Sequence, residues 1–154
     1  MRALLSFALL LLFLLVSAPD AHAQRGSFGI GGQVGDPTGL ALKFTSGARA
    51  FDLAAGWDLD DYLFVQGHLL LRERRLQGTA SDFRYFYGPG LFVAFRETGR
   101  EDRDDDVNFG IGFNAGLSYY FDAFEIFGQL TPRLQLIDDT DFDLGGGIGI
   151  RFYP

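Results

Sequence analysis

A long stretch of the chain alternates apolar with polar positions. Residues 107–121 read VNFGIGFNAGLSYYF, with an apolar or aromatic side chain at every odd position and Asn, Gly, Ser or Tyr at every even one. Alternation with a period of two is typical of a β-strand whose two faces meet different surroundings. A strand of this length exceeds the usual globular strand of about 5–6 residues. The pattern therefore predicts an extended sheet with one apolar face and one narrow, polar face.

The same alternation recurs along most of the chain. Short turn sequences such as Asp36-Pro37, Ser46-Gly47 and Asp122-Ala123 separate several of the segments, which favours antiparallel hairpins. The sequence therefore predicts eight strands in an up-and-down antiparallel meander. The predicted strands are 27–35, 38–45, 48–58, 62–72, 83–95, 107–121, 124–137 and 142–153.

Two architectures fit eight amphipathic strands, and they place the two faces in opposite senses. In a soluble sandwich or lipocalin-type barrel the apolar face forms the core, whereas in a membrane barrel it meets lipid and the polar face fills the lumen. The polar face here carries many glycines and few of the lysines and glutamates that a water-exposed sheet uses for solubility. We therefore predict an all-β fold, an eight-stranded antiparallel up-and-down transmembrane β-barrel. Aromatic residues near the strand ends suit girdles at the two membrane interfaces, namely Phe28, Trp57, Tyr85, Tyr119, Phe121, Phe124, Phe142 and Phe152.

The first residues have the pattern of an export signal. Arg2 precedes an almost wholly apolar run over 3–16, and Ala21-His22-Ala23 has the small-x-small pattern of a signal peptidase site. The apolar run is shorter than the roughly 20 residues that a membrane-spanning helix needs. We expect residues 1–23 to be a signal peptide that is cleaved after Ala23 on the Sec pathway, and residues 24–154 to be one barrel domain. The chain has no cysteine, which excludes a lipidated N-terminal cysteine and disulfides.

Charge and composition narrow the possible functions. The formal net charge is −7, which argues against binding to nucleic acid. The predicted inward positions carry cations and anions in near balance, and charges buried in a narrow barrel must be paired. We therefore expect a packed, ion-paired lumen, with Lys43, Asp143 and Arg151 at the water-exposed barrel ends. The predicted lumen network, structural in role, consists of Asp52, Gln66, His68, Arg84, Asn108, Asn114, Glu125, Gln129 and Arg133.

Several short motifs carry a family resemblance. They are the turn Gly35-Asp36-Pro37-Thr38-Gly39-Leu40, Ala50-Phe51-Asp52 with Gly56-Trp57, Tyr85-Phe86-Tyr87-Gly88, Glu125-Ile126-Phe127 with Leu130 and Pro132, and the ending 142–153. The chain resembles a domain-of-unknown-function family of small bacterial outer-membrane β-barrel proteins over essentially its whole length after the signal. The resemblance implies outer-membrane location and brings no established activity or active site. One departure is Pro154, since such barrels usually end on an aromatic residue that the assembly machinery reads.

Catalysis would have to rely on one histidine. His68 is the only histidine outside the predicted signal, and no serine lies two positions away on its face, where Gln66 and Leu70 stand. A serine nucleophile needs a base within hydrogen-bond reach. We therefore predict no catalytic residues, and we expect His68 to bond Gln66 or a neighbouring strand.

Metal and nucleotide motifs are also weak. Asp102, Asp104 and Asp106 have the spacing that begins a calcium-binding EF-hand loop, but Val107 replaces the required glycine and Phe113 the required glutamate. The glycines over 145–149 open no helix that could hold a phosphate. We predict no metal, no cofactor and no enzymatic activity.

The sequence thus predicts a small outer-membrane β-barrel with a structural or surface-related role. Two further hypotheses stay open: a soluble periplasmic lipocalin-like barrel that binds an apolar ligand, and a narrow channel for small solutes. The expected partners are outer-membrane lipid, lipopolysaccharide and, during biogenesis, the barrel-assembly machinery. We expect a monomer with both termini in the periplasm.

Overall fold

The computed structural model describes residues 27–58, 62–78, 82–96, 106–136 and 140–154. The predicted signal peptide and its cleavage site lie outside these residues, as does most of the loop with Asp102 and Asp104. Among the described residues, no helix has the length and apolar character needed to cross a membrane. The strands are β1 Phe28–Asp36, β2 Gly39–Ser46, β3 Arg49–Asp58, β4 Tyr62–Leu70, β5 Arg72–Arg75, β6 Phe83–Arg96, β7 Asp106–Phe121, β8 Phe124–Gln135 and β9 Phe142–Phe152.

These strands form one closed antiparallel sheet. Strands that are neighbours in sequence pair with each other, except β4 and β5; β1 also pairs with β9, and β4 pairs with both β3 and β6. β5 continues the direction of β4 and pairs with β6, so the two form a single stave of the barrel wall. The predicted eight-stranded up-and-down barrel is therefore confirmed, with strand positions within a few residues of those predicted.

A β-bulge separates β4 from β5. His68 pairs with Gly90 and Arg72 pairs with Tyr87, so three residues of the stave oppose two of β6. The Leu71 amide donates to the Tyr87 carbonyl at 3.0 Å, which places both Leu71 and Arg72 opposite Tyr87. A bulge adds one residue and reverses the alternation beyond it. The sequence pattern placed position 72 at the end of a regular strand, whereas the structure exposes Arg72 and turns Glu73 inward.

The two faces of the sheet meet different surroundings, as the membrane-barrel interpretation predicted. Large apolar side chains are exposed on the outside, with Val34 and Ile148 both 66% accessible. Inward polar side chains are buried, and Glu125 and Asn114 are both 0% accessible. A water-soluble barrel places these two classes of side chain the other way round.

Aromatic rings surround the end of the barrel that carries the chain termini. Phe121 and Phe124 face each other across the β7–β8 turn, with ring centroids 5.6 Å apart. Neighbouring rings extend this contact on both sides, which produces a band of aromatic rings on the outer surface. We call this band the terminal aromatic belt; it consists of Phe83, Tyr119, Phe121, Phe124 and Phe152, with the pair Phe28 and Phe44 beside it.

Candidate functional site: the barrel lumen

The side chains inside the barrel form three layers, one above another along the strands. We name them by position. The terminal layer, nearest the chain termini, consists of Lys43, Glu73, Ser118, Tyr120, Glu125, Arg151 and Tyr153. The central layer consists of Gln33, Asp52, His68, Asn114 and Gln129, and the mouth layer at the opposite end consists of Asp36, Phe64, Phe92, Arg133 and Asp143.

Glu125 is the hub of the terminal layer. Its Oε1 accepts hydrogen bonds from Ser118 Oγ at 2.5 Å and from Lys43 Nζ at 3.1 Å. Its Oε2 accepts from Arg151 Nη1 at 3.3 Å and from the Tyr153 hydroxyl. Burial, together with the Glu125 charge, raises the pKa of the Tyr153 hydroxyl, which therefore keeps its proton and serves as a donor. The fully buried carboxylate of Glu125 thus accepts from four donors, two of which are cations.

Lys43 joins two carboxylates on opposite sides of the terminal layer. Its Nζ lies 3.0 Å from Glu73 Oε2 and donates to the Tyr120 hydroxyl at 2.7 Å, which in turn donates to Glu73 Oε1 at 2.6 Å. The expectation that Lys43 and Arg151 lie in water at the barrel ends is wrong, since they are 1% and 2% accessible. The reason is that Glu73, which the bulge turns inward, and Glu125 provide buried partners. Asp143 is 62% accessible, as expected for a barrel end.

The central layer is built around an aspartate and a histidine on neighbouring strands. Asp52 Oδ1 and His68 Nδ1 lie 2.8 Å apart, and Asp52 Oδ2 accepts from Asn114 Nδ2 at 3.0 Å. Asn114 also donates to Gln129 Oε1 at 3.0 Å, and Gln129 donates to Gln33 Oε1 at 3.1 Å. His68 therefore bonds a neighbouring strand, which was one of the two predicted partners.

Gln66, the second predicted partner of His68, is isolated. Its side chain is 1% accessible, and neither its amide nitrogen nor its amide oxygen has a hydrogen-bond partner among the described residues. Gln66 stands two positions from His68 on β4 and directly opposite Phe92 of β6. A buried amide without partners is costly, typically about 1–3 kcal/mol, and is commonly bonded to water.

Arg133 organises the mouth layer. Its Nη2 forms ion pairs with Asp36 and with Asp143, the second at 2.5 Å, while its guanidinium lies 4.8 Å from the Phe64 ring centroid. The Phe64 and Phe92 rings are stacked, with centroids 5.5 Å apart. The Nε and Nη1 atoms of Arg133 are buried without a partner among the described residues. In the mouth layer, the Arg133 cation thus lies against two stacked aromatic rings and is bound by two exposed carboxylates.

The remaining predicted network residues lie nearer the barrel ends. Gln135 Nε2 donates to Asn108 Oδ1 at 3.1 Å on the mouth side. Arg84 is partly exposed at the terminal side, where its guanidinium lies 4.8 Å from the Tyr120 ring centroid and 3.9 Å from Glu73. The structure therefore places these two outside the Asp52–His68 group.

The predicted lumen network did not include the aromatic residues of the lumen. Phe86, Phe92 and Phe127 point inward and are buried, the last of them beneath the Arg151 guanidinium, 3.7 Å from its ring centroid. Strand alternation would have located Phe86 and Phe92, because both share parity with the inward Arg84. Glu73 carried no such signal, because its inward direction depends on the bulge.

In the part of the chain that the structure describes, no buried hydroxyl contacts His68 and no cluster of metal-binding side chains is present. The buried hydroxyls of Ser118 and Thr131 donate to Glu125 and Asn114 and not to His68. No three His, Asp or Glu side chains of the described residues converge on a point where a metal ion could bind. The glycines at 145–149 lie within β9 and open no helix.

The architecture defines a class of protein: a closed antiparallel barrel that exposes apolar side chains on its wall and encloses ion pairs is a transmembrane β-barrel. The chain belongs to the outer membrane protein beta-barrel domain family, whose model matches residues 7–154. This confirms the family resemblance and the outer-membrane location. Comparisons with curated proteins and with solved structures gave no significant match.

Proposed function

We propose that this protein is a non-enzymatic barrel with a structural or surface-related role, whose lumen is closed by its own side chains. The observation that carries the proposal is the terminal layer, where Lys43 joins Glu125 and Glu73 across the lumen and Arg151, on the strand next to Glu125, adds a second cation. Opening a pore would separate buried partners, and breaking a buried ion pair costs about 3–5 kcal/mol. A closed lumen is consistent with a role of the outer wall and the loops.

Conductance in planar lipid bilayers tests the closed lumen. The wild-type barrel is expected to insert without steady ion current. A variant that removes one pair together, Lys43→Ala with Glu125→Ala, is expected to conduct, provided that heat-modifiable gel migration shows a folded barrel. Steady current through the wild type, equal to that of the variant, would contradict a closed lumen.

A narrow passage for water-sized solutes is the second candidate. It is supported by the buried atoms of Gln66 and Arg133 that have no partner among the described residues, since water is the expected partner in this mouth half of the lumen. Vesicles that contain the wild type should then shrink and swell faster in an osmotic step than empty vesicles, and Gln66→Leu should slow them. Identical rates for all three would exclude this candidate.

Cell fractionation and lipid analysis distinguish the membrane barrel from a soluble barrel and from an enzyme. The protein is expected in the membrane fraction, extractable only with detergent, whereas recovery in the soluble periplasm would favour the lipocalin-like barrel with an apolar ligand. An enzymatic role would require that purified protein alters lipid A or phospholipid and that His68→Ala abolishes the change.

The proposal includes the route to the membrane. Export on the Sec pathway, cleavage after Ala23, folding of 24–154 by the barrel-assembly machinery, and a monomer in contact with lipid and lipopolysaccharide follow from the sequence pattern. N-terminal sequencing of protein extracted from membranes should begin at Gln24; a start at Met1 would contradict cleavage.

A further inference from the structure

The outer wall beside the bulge carries a group of exposed arginines. Arg72 and Arg74 of β5 stand directly opposite Tyr87 and Tyr85 of β6, so the four side chains share the outer face. Arg49, also exposed, precedes Ala50, which pairs with Leu70, and therefore lies beside the bulge on the neighbouring strand. We call Arg49, Arg72, Arg74, Tyr85 and Tyr87 the arginine–tyrosine patch.

The patch keeps its positive charge. Among the described residues, the side chains of Arg49, Arg72 and Arg74 form no ion pair or hydrogen bond. The nearby carboxylates have other partners, since Glu73 points inward to Lys43 and Asp82 binds Arg75. Three guanidinium groups whose charge no described carboxylate offsets are therefore clustered on a protein whose formal net charge is −7.

The depth of the patch matches a membrane interface. The Tyr85 and Tyr87 rings stack on each other, with centroids 6.5 Å apart, and the terminal aromatic belt begins next to them at Phe83. Tyrosine is enriched at the level of lipid headgroups, where its ring meets acyl chains and its hydroxyl meets polar groups. Arginines on the outer face at this level are placed against headgroup phosphates.

We propose that the arginine–tyrosine patch binds the phosphate of an anionic phospholipid in the leaflet at the terminal end of the barrel. Guanidinium groups form paired hydrogen bonds with phosphate oxygens, and the tyrosine hydroxyls add neutral donors. Among the described residues β5 pairs only with β6, so its other edge is open to a strand of a protein partner. Such pairing is less favoured than lipid binding, because this edge is only four residues long and carries arginines, which oppose edge pairing. The proposal is independent of whether the lumen conducts.

Native mass spectrometry of the folded full chain tests this proposal. The protein is incubated in detergent with equal amounts of phosphatidylglycerol and phosphatidylcholine, and the retained lipids are counted. The wild type is expected to prefer phosphatidylglycerol, and the preference should fall about fivefold for each of Arg49→Gln, Arg72→Gln and Arg74→Gln. Arg75→Gln, on the same strand but paired with Asp82, is the matched control and should keep it.

Three outcomes would overturn the proposal. They are equal retention of the two lipids by the wild type, wild-type preference in a variant that combines Arg49→Gln, Arg72→Gln and Arg74→Gln, and an equal loss in Arg75→Gln and Arg74→Gln. Heat-modifiable migration of every variant shows that the barrel is folded, which is expected because all four arginines are exposed.

Discussion

Glycines and aromatic rings share the space inside the barrel. A Cβ atom added to Gly116 would lie 2.5 Å from the Phe86 ring, and one added to Gly149 would lie 2.5 Å from the Phe127 ring. Such distances are shorter than any van der Waals contact, so each ring occupies the volume that a side chain would fill. The role of these glycines is therefore packing. Because they have no side chain, the large rings lie directly on the backbone and the lumen is densely packed.

A pair of glycine substitutions tests this packing. Gly116→Ala should cost about 1–3 kcal/mol of unfolding free energy, because its Cβ would also lie 2.3 Å from the Gly128 carbonyl oxygen. Gly128→Ala, on the outer face, has its nearest neighbour at 3.9 Å and should change stability by less than about 0.5 kcal/mol. Urea unfolding in vesicles, followed by Trp57 fluorescence, measures both. Equal losses would contradict the packing role.

A second prediction at this scale concerns the buried carboxylate. Glu125→Gln leaves Arg151 and Lys43 short of negative charge in a dry environment, and should cost about 3–5 kcal/mol. Asp143→Asn also removes one carboxylate from an ion pair, but Asp143 is exposed and Asp36 still binds Arg133, so about 0–1 kcal/mol is expected. The same urea assay compares the two. A cost for Asp143→Asn as large as for Glu125→Gln would show that burial does not set the difference.

At the scale of the element, the bulge between β4 and β5 controls both surfaces of the wall. It directs Glu73 to Lys43 and the Tyr120 hydroxyl inside, and it leaves Arg72 outside beside Tyr87. Pro89 lies in the opposing strand, between the paired residues Gly90 and Tyr87, and provides no amide hydrogen to the ladder there. One inserted residue thus contributes to the lumen network and to the arginine–tyrosine patch.

Insertion of one alanine between Arg72 and Glu73 tests the direction that the bulge gives to β5. The insertion would shift the rest of β5 by one residue and turn Glu73 outward, because a shift of one residue exchanges the faces of a strand. Lys43 would then lose one of its two carboxylate partners, so the loss of stability should be about 2–4 kcal/mol. The temperature at which heat-modifiable migration disappears measures it. Insertion of one alanine after Gln77, exposed in the turn after β5, is the control, and an equal loss there would contradict a special role of the bulge.

At the scale of the whole molecule, charge is distributed unequally between the two ends. The segments that join strands opposite the termini are rich in aspartate, as in 58–61, 102–106 and 138–143. The terminal end carries Arg49 and the arginines of β5. Outer-membrane barrels have short periplasmic turns and longer extracellular loops. The segment between β6 and β7 is the longest connection, which favours periplasmic termini and an acidic outer surface.

Epitope tags test this orientation. A tag inserted after Gly99, between β6 and β7, should be labelled by antibody on intact cells, whereas a tag after Gly78, between β5 and β6, should be labelled only after the outer membrane is permeabilised. The reverse pattern would contradict periplasmic termini. It would also move the arginine–tyrosine patch to the outer leaflet.

The positions of the strands and the apolar face of each strand could be predicted from the sequence alone. Alternation is a local property, since successive side chains point to opposite faces whatever the rest of the chain does. The membrane interpretation followed, because small inward residues suit a narrow lumen. Because alternation assigns every position of a strand to one face, the inward positions of Asp52, His68, Asn114 and Glu125 could also be predicted.

The contacts between side chains inside the lumen depend on the folded barrel and could not be predicted from the sequence. Lys43, Glu73 and Glu125 come from β2, β5 and β8, and their contact depends on closure of the sheet, on the registers of several strand pairs and on the bulge. Alternation along one strand contains no information about the register between distant strands. The burial of Lys43, the isolation of Gln66 and the arginine–tyrosine patch therefore became visible only once the barrel was closed.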